Sequence, residues 1–137
     1  MSDAQEQRVV SADSCFVCGE KNPIGLKARF SIDHEARTSY VRLTLRDDFQ
    51  GWQDVVHGGI LATLLDEACA YACLAQAENC VTAEINVRYR KPVRVADTVE
   101  VFGQLLESRH KIWKAAAQIK IDGTLYAEAQ AKLFVQL

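Results

Sequence analysis

Apolar and polar residues alternate with a period of two in several segments of the chain, which is the pattern of strands with one buried face. The alternation runs through residues 26–33, 41–46 and 81–90, and again through 99–106, 112–121 and 125–135. Asp122-Gly123 lies between the last two segments and is a strong signal for a tight hairpin turn. We therefore predict six strands, with residues 47–56 as a loop after the second.

Between the second and third predicted strands the period changes to that of a helix. From His57 to about Gln76, apolar residues recur every three or four positions: Ile60, Leu61, Leu64, Leu65, Ala68, Ala72 and Ala75. Only a sheet is available to bury so long an apolar face. The pattern predicts an α+β fold in which an antiparallel six-stranded sheet wraps around one long central helix.

The length and charge of the chain limit its organisation and partners. With 137 residues, one domain can bury a core without disulfides or a structural metal. We expect a flexible polar leader over residues 1–14 and a single domain over 15–137. A net charge of −2 argues against nucleic acid, and the absence of a long apolar run or signal peptide argues against a membrane. A cytoplasmic location is the expectation.

Two glycines open the predicted helix, and a carboxylate lies inside it. The first N–H groups of a helix lack intrahelical partners, so Gly58 and Gly59 let a carbonyl oxygen approach them closely. Asp66 follows His57 by nine positions in an otherwise apolar run, where an ionised side chain is costly unless it faces a partner or a wet pocket. The combination favours a site that polarises a carbonyl over a plain helix cap beside a solvated edge.

These features, taken together, resemble the hotdog-fold thioesterases, in the branch of phenylacetate-pathway (PaaI-like) and small acyl-coenzyme A thioesterases. The resemblance covers nearly the whole chain. It is carried by Cys15-Phe16-Val17-Cys18-Gly19, Asn22-Pro23-Ile24-Gly25-Leu26, Gly51-Trp52, Val56-His57-Gly58-Gly59-Ile60, Leu65-Asp66-Glu67-Ala68 and Asn86-Val87-Arg88-Tyr89 with Pro92. It implies an acyl-coenzyme A thioesterase that hydrolyses a small or medium acyl-coenzyme A and needs no cofactor.

The resemblance also implies roles for individual residues. Asp66 stands where the family has its nucleophile or general base, and Thr82 matches a hydroxyl that helps to hold the attacking water. His57 would orient the thioester, and the N–H of Gly58 or Gly59 would polarise its carbonyl. Glu67, about 100° around the helix from Asp66, is the reserve carboxylate. Some relatives carry an amide in the preceding loop, and the candidates here are Gln50 and Gln53.

The same sequence suggests how substrate and subunits are held. Arg88, Arg90 and Lys91 are candidates for the phosphates of coenzyme A, with a solvated strand end as the alternative. Gly58 and Asp66 are eight residues apart, or about 12 Å along a helix, too far to reach one carbonyl. We therefore expect a homodimer, or a homotetramer built as a dimer of dimers, whose active sites are shared between two subunits.

Two further expectations concern metals and competing functions. Cys15 and Cys18 have the spacing of zinc ligands but supply only half of a tetrahedral site, so we expect no metal. An acyl carrier protein dehydratase of the hotdog type is disfavoured by the two glycines after His57. A non-catalytic acyl-coenzyme A-binding hotdog protein is disfavoured by Asp66.

Overall fold

The computed structural model describes residues 12–135 and contains one long helix and one sheet. The elements are β1 (Ser31–Asp33), β2 (Thr38–Thr44), a short 3-10 helix (Asp47–Phe49), α1 (Gly58–Cys73), β3 (Cys80–Tyr89), β4 (Thr98–Arg109), β5 (Ile112–Ile121) and β6 (Thr124–Val135). The sheet has the order β1-β2-β4-β5-β6-β3, and every neighbouring pair is antiparallel. The predicted hotdog fold, six strands around one central helix, is confirmed.

The prediction of a strand over residues 26–33 is mostly wrong, because only Ser31–Asp33 pairs with β2. Leu26 and Ala28 are buried, as the alternation indicates, but their N–H groups donate to a preceding turn rather than to a strand. The acceptors are the carbonyls of Phe16 and Val17, at 2.9 and 2.8 Å. Lys27, between them, has a φ of 54°, which interrupts extended backbone.

The turn before β1 includes the end of the predicted leader. Residues 1–11 lie outside the described residues, but Asp13 accepts the Lys21 N–H at 3.0 Å, and Ser14 accepts the Asn22 side-chain amide at 3.0 Å. A Cβ on Gly19 would overlap the Asp13 carbonyl, so the turn closes this tightly only with glycine. Residues 12–25 thus form an ordered turn, which we call the N-terminal turn.

Other element boundaries differ from the prediction by a few residues. β4 continues to Arg109, beyond the predicted end at residue 106, because a register shift between Leu105 and Glu107 breaks the period-two pattern. The helix ends at Cys73 and tightens into a turn in which the Gln76 N–H donates to the Cys73 carbonyl at 3.0 Å. The predicted hairpin turn is confirmed, with Asp122 and Gly123 both at positive φ.

The core lies between α1 and the concave face of the sheet. Leu64, Leu65 and Ala68 of the helix are fully buried, and β4, β5 and β6 supply the apolar side chains beneath them. The largest of those that are fully buried are Val99, Val101, Leu105, Ile119, Leu133 and Val135. No helix in residues 12–135 has the length and apolar character needed to cross a membrane.

The backbone of α1 approaches the sheet most closely at Ala68. The Ser39 hydroxyl of β2 donates to the Ala68 carbonyl at 2.6 Å, and Ser39 is the only fully buried polar residue among residues 12–135. Gly103 of β4 lies beside both groups, and a Cβ there would overlap the Ala68 carbonyl and the Ser39 hydroxyl. The height of the helix above the sheet therefore depends on glycine at position 103.

We expect Gly103→Ala to lower the free energy of unfolding by about 2 kcal/mol or more, because the added methyl group displaces helix backbone rather than a flexible side chain. Urea unfolding followed by circular dichroism measures the change. Gln130→Ala, on an exposed position of β6, is the control and should shift stability by well under 1 kcal/mol. Equal stability of Gly103→Ala and the native chain would contradict the packing described here.

Candidate active site

The loop before α1 places His57 at the N-terminal end of the helix. The His57 N–H donates to the Phe49 carbonyl at 2.8 Å, and the Val56 N–H donates to the Val93 carbonyl at 2.8 Å. Gly51 packs against the imidazole, since a Cβ at that position would lie 3.1 Å from His57 Cδ2. These contacts hold the ring over the first turn of the helix.

The His57 side chain caps the helix and thereby sets its own tautomer. Its Nδ1 accepts the Gly59 N–H at 2.9 Å, so the neutral ring carries its proton on Nε2. Because Gly59 donates to His57, its N–H is already engaged. Within residues 12–135 the N–H of Gly58 has no hydrogen-bond acceptor. Of the two glycines predicted to polarise a carbonyl, Gly58 therefore has the available donor.

Tyr89, to which sequence reasoning assigned no role, also belongs to this end of the helix. Its hydroxyl donates to the Gly58 carbonyl at 2.8 Å and links the end of β3 to the first turn of α1. A Cβ on Gly58 would meet the Tyr89 ring at 3.4 Å. The signal that could have found Tyr89 is its period-two relation to Ile85 and Val87, which face the helix from the same strand.

Asp66 and Thr82 lie together, although they are on different elements. The Thr82 hydroxyl, on β3, donates to Asp66 Oδ1 at 2.5 Å, and both residues are partly buried. Thr82 lies where the pairing of β3 with β6 shifts register, between Thr82 and Glu84. The hydrogen bond fixes the Asp66 carboxylate and occupies one of its oxygens, and within residues 12–135 no donor bonds the other.

Glu67, the predicted reserve carboxylate, faces a different part of the molecule. The Cys15 thiol donates to Glu67 Oε2 at 3.7 Å, and Cys18 lies beside both groups. Burial raises the pKa of Glu67, and the neighbouring charge of Asp66 adds to the increase, while hydrogen bonds from the two thiols oppose it. Burial raises the pKa of Cys18 to about 12. Adjacent residues of the helix thus serve two separate environments.

The structure does not bring the predicted phosphate-binding residues to Asp66 within one chain. Arg88 lies on the face of β3 opposite Tyr89, and Arg90, directly after the strand, forms an ion pair with Glu128 at 2.6 Å. Lys91 follows the strand, with its ammonium 5.8 Å from the centre of the Tyr126 ring. All three basic side chains are exposed. Their role stays a prediction.

The two loop amides also differ in their contacts. Gln50 Oε1 accepts the Asp54 N–H at 2.9 Å, so this side chain stabilises its own loop. Gln53 is exposed at the tip of the loop, next to Trp52, whose side chain is 85% exposed. Neither side-chain amide hydrogen-bonds to His57 or Gly58 in the described part of the chain.

The distance between the two halves of the candidate site is set by one continuous helix. Gly58 is the first residue of α1, and Asp66 lies eight residues later on the same helix. At 1.5 Å per residue they are about 12 Å apart along the axis. A polarising N–H and a carboxylate base each need to be within about 3 Å of the reacting group. Within one chain, Gly58 and Asp66 therefore cannot both contact one reacting group. We call His57 with Gly58, and Asp66 with Thr82, the two half-sites of the candidate site.

Part of the chain matches a known protein family. Residues 53–128, more than half of the chain, match the family model of the Thioesterase superfamily. The chain belongs to the Thioesterase superfamily. The matched range contains His57, Gly58, Asp66 and Thr82, so both half-sites lie in the part of the chain that matches.

Two proteins with assigned activities match parts of this chain. Acyl-coenzyme A thioesterase THEM4 of Mus musculus is 34% identical over 90 residues, which cover 64% of this chain and 38% of that protein. The 3-hydroxyacyl-acyl-carrier-protein dehydratase FabZ of Pseudoalteromonas translucida is 40% identical over 45 residues, 33% of this chain and 30% of that protein. The chain thus spans less than half the length of these relatives.

Solved structures share the fold at lower identity. A phenylacetic acid degradation-related protein of Ralstonia eutropha is 24% identical, with a TM-score of 0.74 over 80% of this chain and 86% of that one. A Streptococcus mutans protein bound to acetyl CoA is 18% identical, with a TM-score of 0.74 over 86% of this chain and 97% of that one. These likenesses show that this superfamily member has the hotdog fold.

We expect Glu67→Gln to melt at a higher temperature than the native chain at neutral pH when both are measured with a chelator present. The raised pKa of Glu67 means that the folded state binds its proton more tightly than the unfolded chain does. Ionised Glu67 therefore destabilises the fold at neutral pH, and this cost disappears below a pH of about 4, where Glu67 is protonated in both states.

Thermal melts followed by circular dichroism between neutral pH and about pH 4 test whether Glu67→Gln melts above or below the native chain. Glu35→Gln, which changes an exposed carboxylate in the same way, is the control and should show no such difference. A neutral-pH melting temperature of Glu67→Gln below that of the native chain would show that the ionised carboxylate stabilises the fold.

Proposed function

We propose that this domain hydrolyses the thioester bond of a small or medium acyl-coenzyme A and that it needs no cofactor for this reaction. The observation that carries the proposal is the Asp66 carboxylate, which is held by the Thr82 hydroxyl at 2.5 Å on a helix that begins with His57-Gly58-Gly59. Membership of the Thioesterase superfamily and the likeness to the THEM4 protein support the reaction class.

The residues present suit each part of that reaction. A thioester carbonyl oxygen can accept the Gly58 N–H, where the helix dipole adds positive potential. His57 Nε2–H, which the cap leaves free, is a second candidate donor. Asp66 either takes the proton of an attacking water or attacks the carbonyl carbon itself. The carbon–sulfur bond then breaks, and coenzyme A leaves as a thiolate that takes up a proton from the Asp66 carboxyl or from water. In the nucleophilic route, water then hydrolyses the anhydride between the acyl group and Asp66 and restores the carboxylate. Thr82 is the positioning residue, because its hydrogen bond orients the carboxylate.

The separation of the half-sites supports a site shared by two copies of the chain. β3 is an edge strand of ten residues, and its outer edge pairs with no other strand in residues 12–135. Val81 and Tyr89 are large hydrophobic residues of this strand that remain 45% and 53% exposed. An edge of this kind is suited to pair with a second chain. We infer a homodimer in which His57 and Gly58 of one copy meet Asp66 of the other, and such dimers could pair further into a tetramer.

Arg88, Arg90 and Lys91 remain our proposed contacts for the phosphates of coenzyme A. Arg88 and Arg90 line a cavity of about 290 Å³ on the outer face of β3 and β6, and Lys91 follows them in the chain. Three adjacent basic side chains provide the charge that a polyphosphate needs. The Streptococcus mutans neighbour bound to acetyl CoA shows that a protein of this fold accommodates such a ligand.

The match to FabZ supports a second candidate, the dehydration of a 3-hydroxyacyl thioester. Both reactions place an acyl thioester against a histidine and a carboxylate, so the choice depends on the product. Hydrolysis releases free thiol, whereas dehydration leaves the thioester intact with a new carbon–carbon double bond. An assay of free thiol over a panel of acyl-coenzyme A esters separates them. Binding without any turnover would identify a non-catalytic acyl-coenzyme A-binding protein.

We expect Asp66→Asn to keep the fold and to lower the rate of thioester hydrolysis by about 100-fold or more, because the amide can neither attack nor accept a proton. The measurement is the rate at which free thiol is released from one acyl-coenzyme A substrate. Asp122→Asn, the same exchange in the β5–β6 turn, should retain native activity. Near-native turnover by Asp66→Asn would exclude Asp66 and direct the next test to Glu67.

A mixture of two inactive variants tests the shared site. After joint unfolding and refolding of Asp66→Asn with His57→Ala, half of the dimers are mixed, and each mixed dimer holds one intact and one doubly damaged site. About a quarter of native activity should therefore return. Each variant refolded alone is the control. If mass spectrometry confirms mixed dimers and no activity returns, each chain builds its own site.

A further inference from the structure

Three potential metal ligands meet where the N-terminal turn contacts α1. Cys15 and Cys18 come from the turn and Glu67 from the helix, and their ligand atoms all lie within 4.8 Å of one another. All three residues are partly buried. The Cys15 thiol donates to Glu67 Oε2 at 3.7 Å across 52 positions of sequence, so tertiary structure alone makes this cluster.

We propose that Cys15, Cys18 and Glu67 bind one zinc ion, with the fourth coordination position taken by water. Zinc favours tetrahedral sites made of thiolates and a carboxylate or imidazole, and three protein ligands with one open position is a common arrangement. The expectation that the chain holds no metal counted two ligands only. Glu67 is the third, and no spacing rule could have identified it.

Hydrogen bonds within the N-terminal turn hold the Cys15 and Cys18 side chains close together. The Cys18 N–H points at Cys15 Sγ, at 3.5 Å, and the Gly19 N–H donates to the Cys15 carbonyl at 3.0 Å. A Cβ on Gly19 would overlap the backbone of Cys15, so the turn requires glycine directly after the second cysteine. An N–H directed at sulfur stabilises a thiolate, which is the form that binds zinc.

A cavity gives an ion access to the cluster and leaves space for its fourth ligand. It has a volume of about 330 Å³ and is lined by all three ligands, together with Tyr71 and Asn79. Tyr71 lies beside Cys18 in this lining, where an outer partner that orients a ligand would lie. Asn79 Oδ1 is buried and has no hydrogen-bond partner in the described part of the chain, so it can accept from a water in this cavity.

Binding would exchange protons for the ion without any change of oxidation state. Zinc displaces the thiol protons of Cys15 and Cys18 into solvent and coordinates Glu67 as its carboxylate, so the ligands contribute three negative charges against two positive ones. The ion would fasten the N-terminal turn to the residue that follows Asp66. This site goes beyond the proposed hydrolysis and does not depend on it.

Titration with Co²⁺ as a spectroscopic substitute for zinc tests the site in the full chain, after reduction and removal of metals with a chelator. We expect cobalt–thiolate absorption that saturates at one ion per chain and is abolished by competing zinc. Cys15→Ser, Cys18→Ser and Glu67→Gln should each weaken binding by about 100-fold or more, since even loss of an outer partner costs 10- to 100-fold. Cys80→Ser, which alters another thiol of the same cavity, is the matched control and should bind normally.

The outcomes separate a site built from all three residues from one in which the two thiols bind the ion alone. Unchanged affinity in Glu67→Gln would overturn the proposal, because the cysteines would then bind the ion without the helix. Absence of cobalt–thiolate absorption in the native chain, or equal loss in Cys80→Ser, would overturn it as well. Circular dichroism of each metal-free variant verifies folding, and the readout does not involve thioester hydrolysis. Failure here would therefore leave the proposed function untouched.

Discussion

The close packing of α1 on the sheet at Ala68 is the contact on which the candidate sites depend. Gly103 lets the helix backbone approach β4, and the Ser39 hydroxyl holds the Ala68 carbonyl at 2.6 Å. Because a helix is rigid over a few residues, this contact also positions the two residues before it. Asp66 thereby comes within hydrogen-bond distance of Thr82 on β3. A helix lying higher above the sheet would lose that pairing before it lost its own hydrogen bonds.

The same rigidity is the reason for proposing that two copies of the chain share the chemistry. A continuous helix from Gly58 to Cys73 cannot bend its first turn back to Asp66, so the polarising N–H and the carboxylate stay about 12 Å apart. β3, whose outer edge pairs with no other strand among the described residues, carries Thr82 and ends at Tyr89, which contacts Gly58. This strand contacts both half-sites, and pairing of two such edges would bring complementary halves together.

Asp66 and Glu67 lie on one turn of the helix, but their side chains contact different neighbours. They are adjacent in sequence but point about 100° apart. Asp66 is held by the Thr82 hydroxyl, a single neutral donor that leaves one carboxylate oxygen available. Glu67 instead lies against two thiols in a more apolar setting, and burial raises its pKa. The first setting suits proton transfer to and from water, and the second suits a cation.

The sequence by itself determined the element order, the wrapped helix and the positions of Asp66, His57 and the two glycines. Period-two and period-3.6 patterns reflect which side of an element is buried, and this depends on local geometry that every strand or helix shares. The pattern failed at residues 26–30, where Lys27 adopts positive φ, and beyond Leu105, where a register shift breaks the alternation. Only the tertiary structure decided that Tyr89 joins the helix terminus and that Glu67 meets Cys15 and Cys18. These contacts join residues up to 52 positions apart, and no local periodicity encodes such a distance.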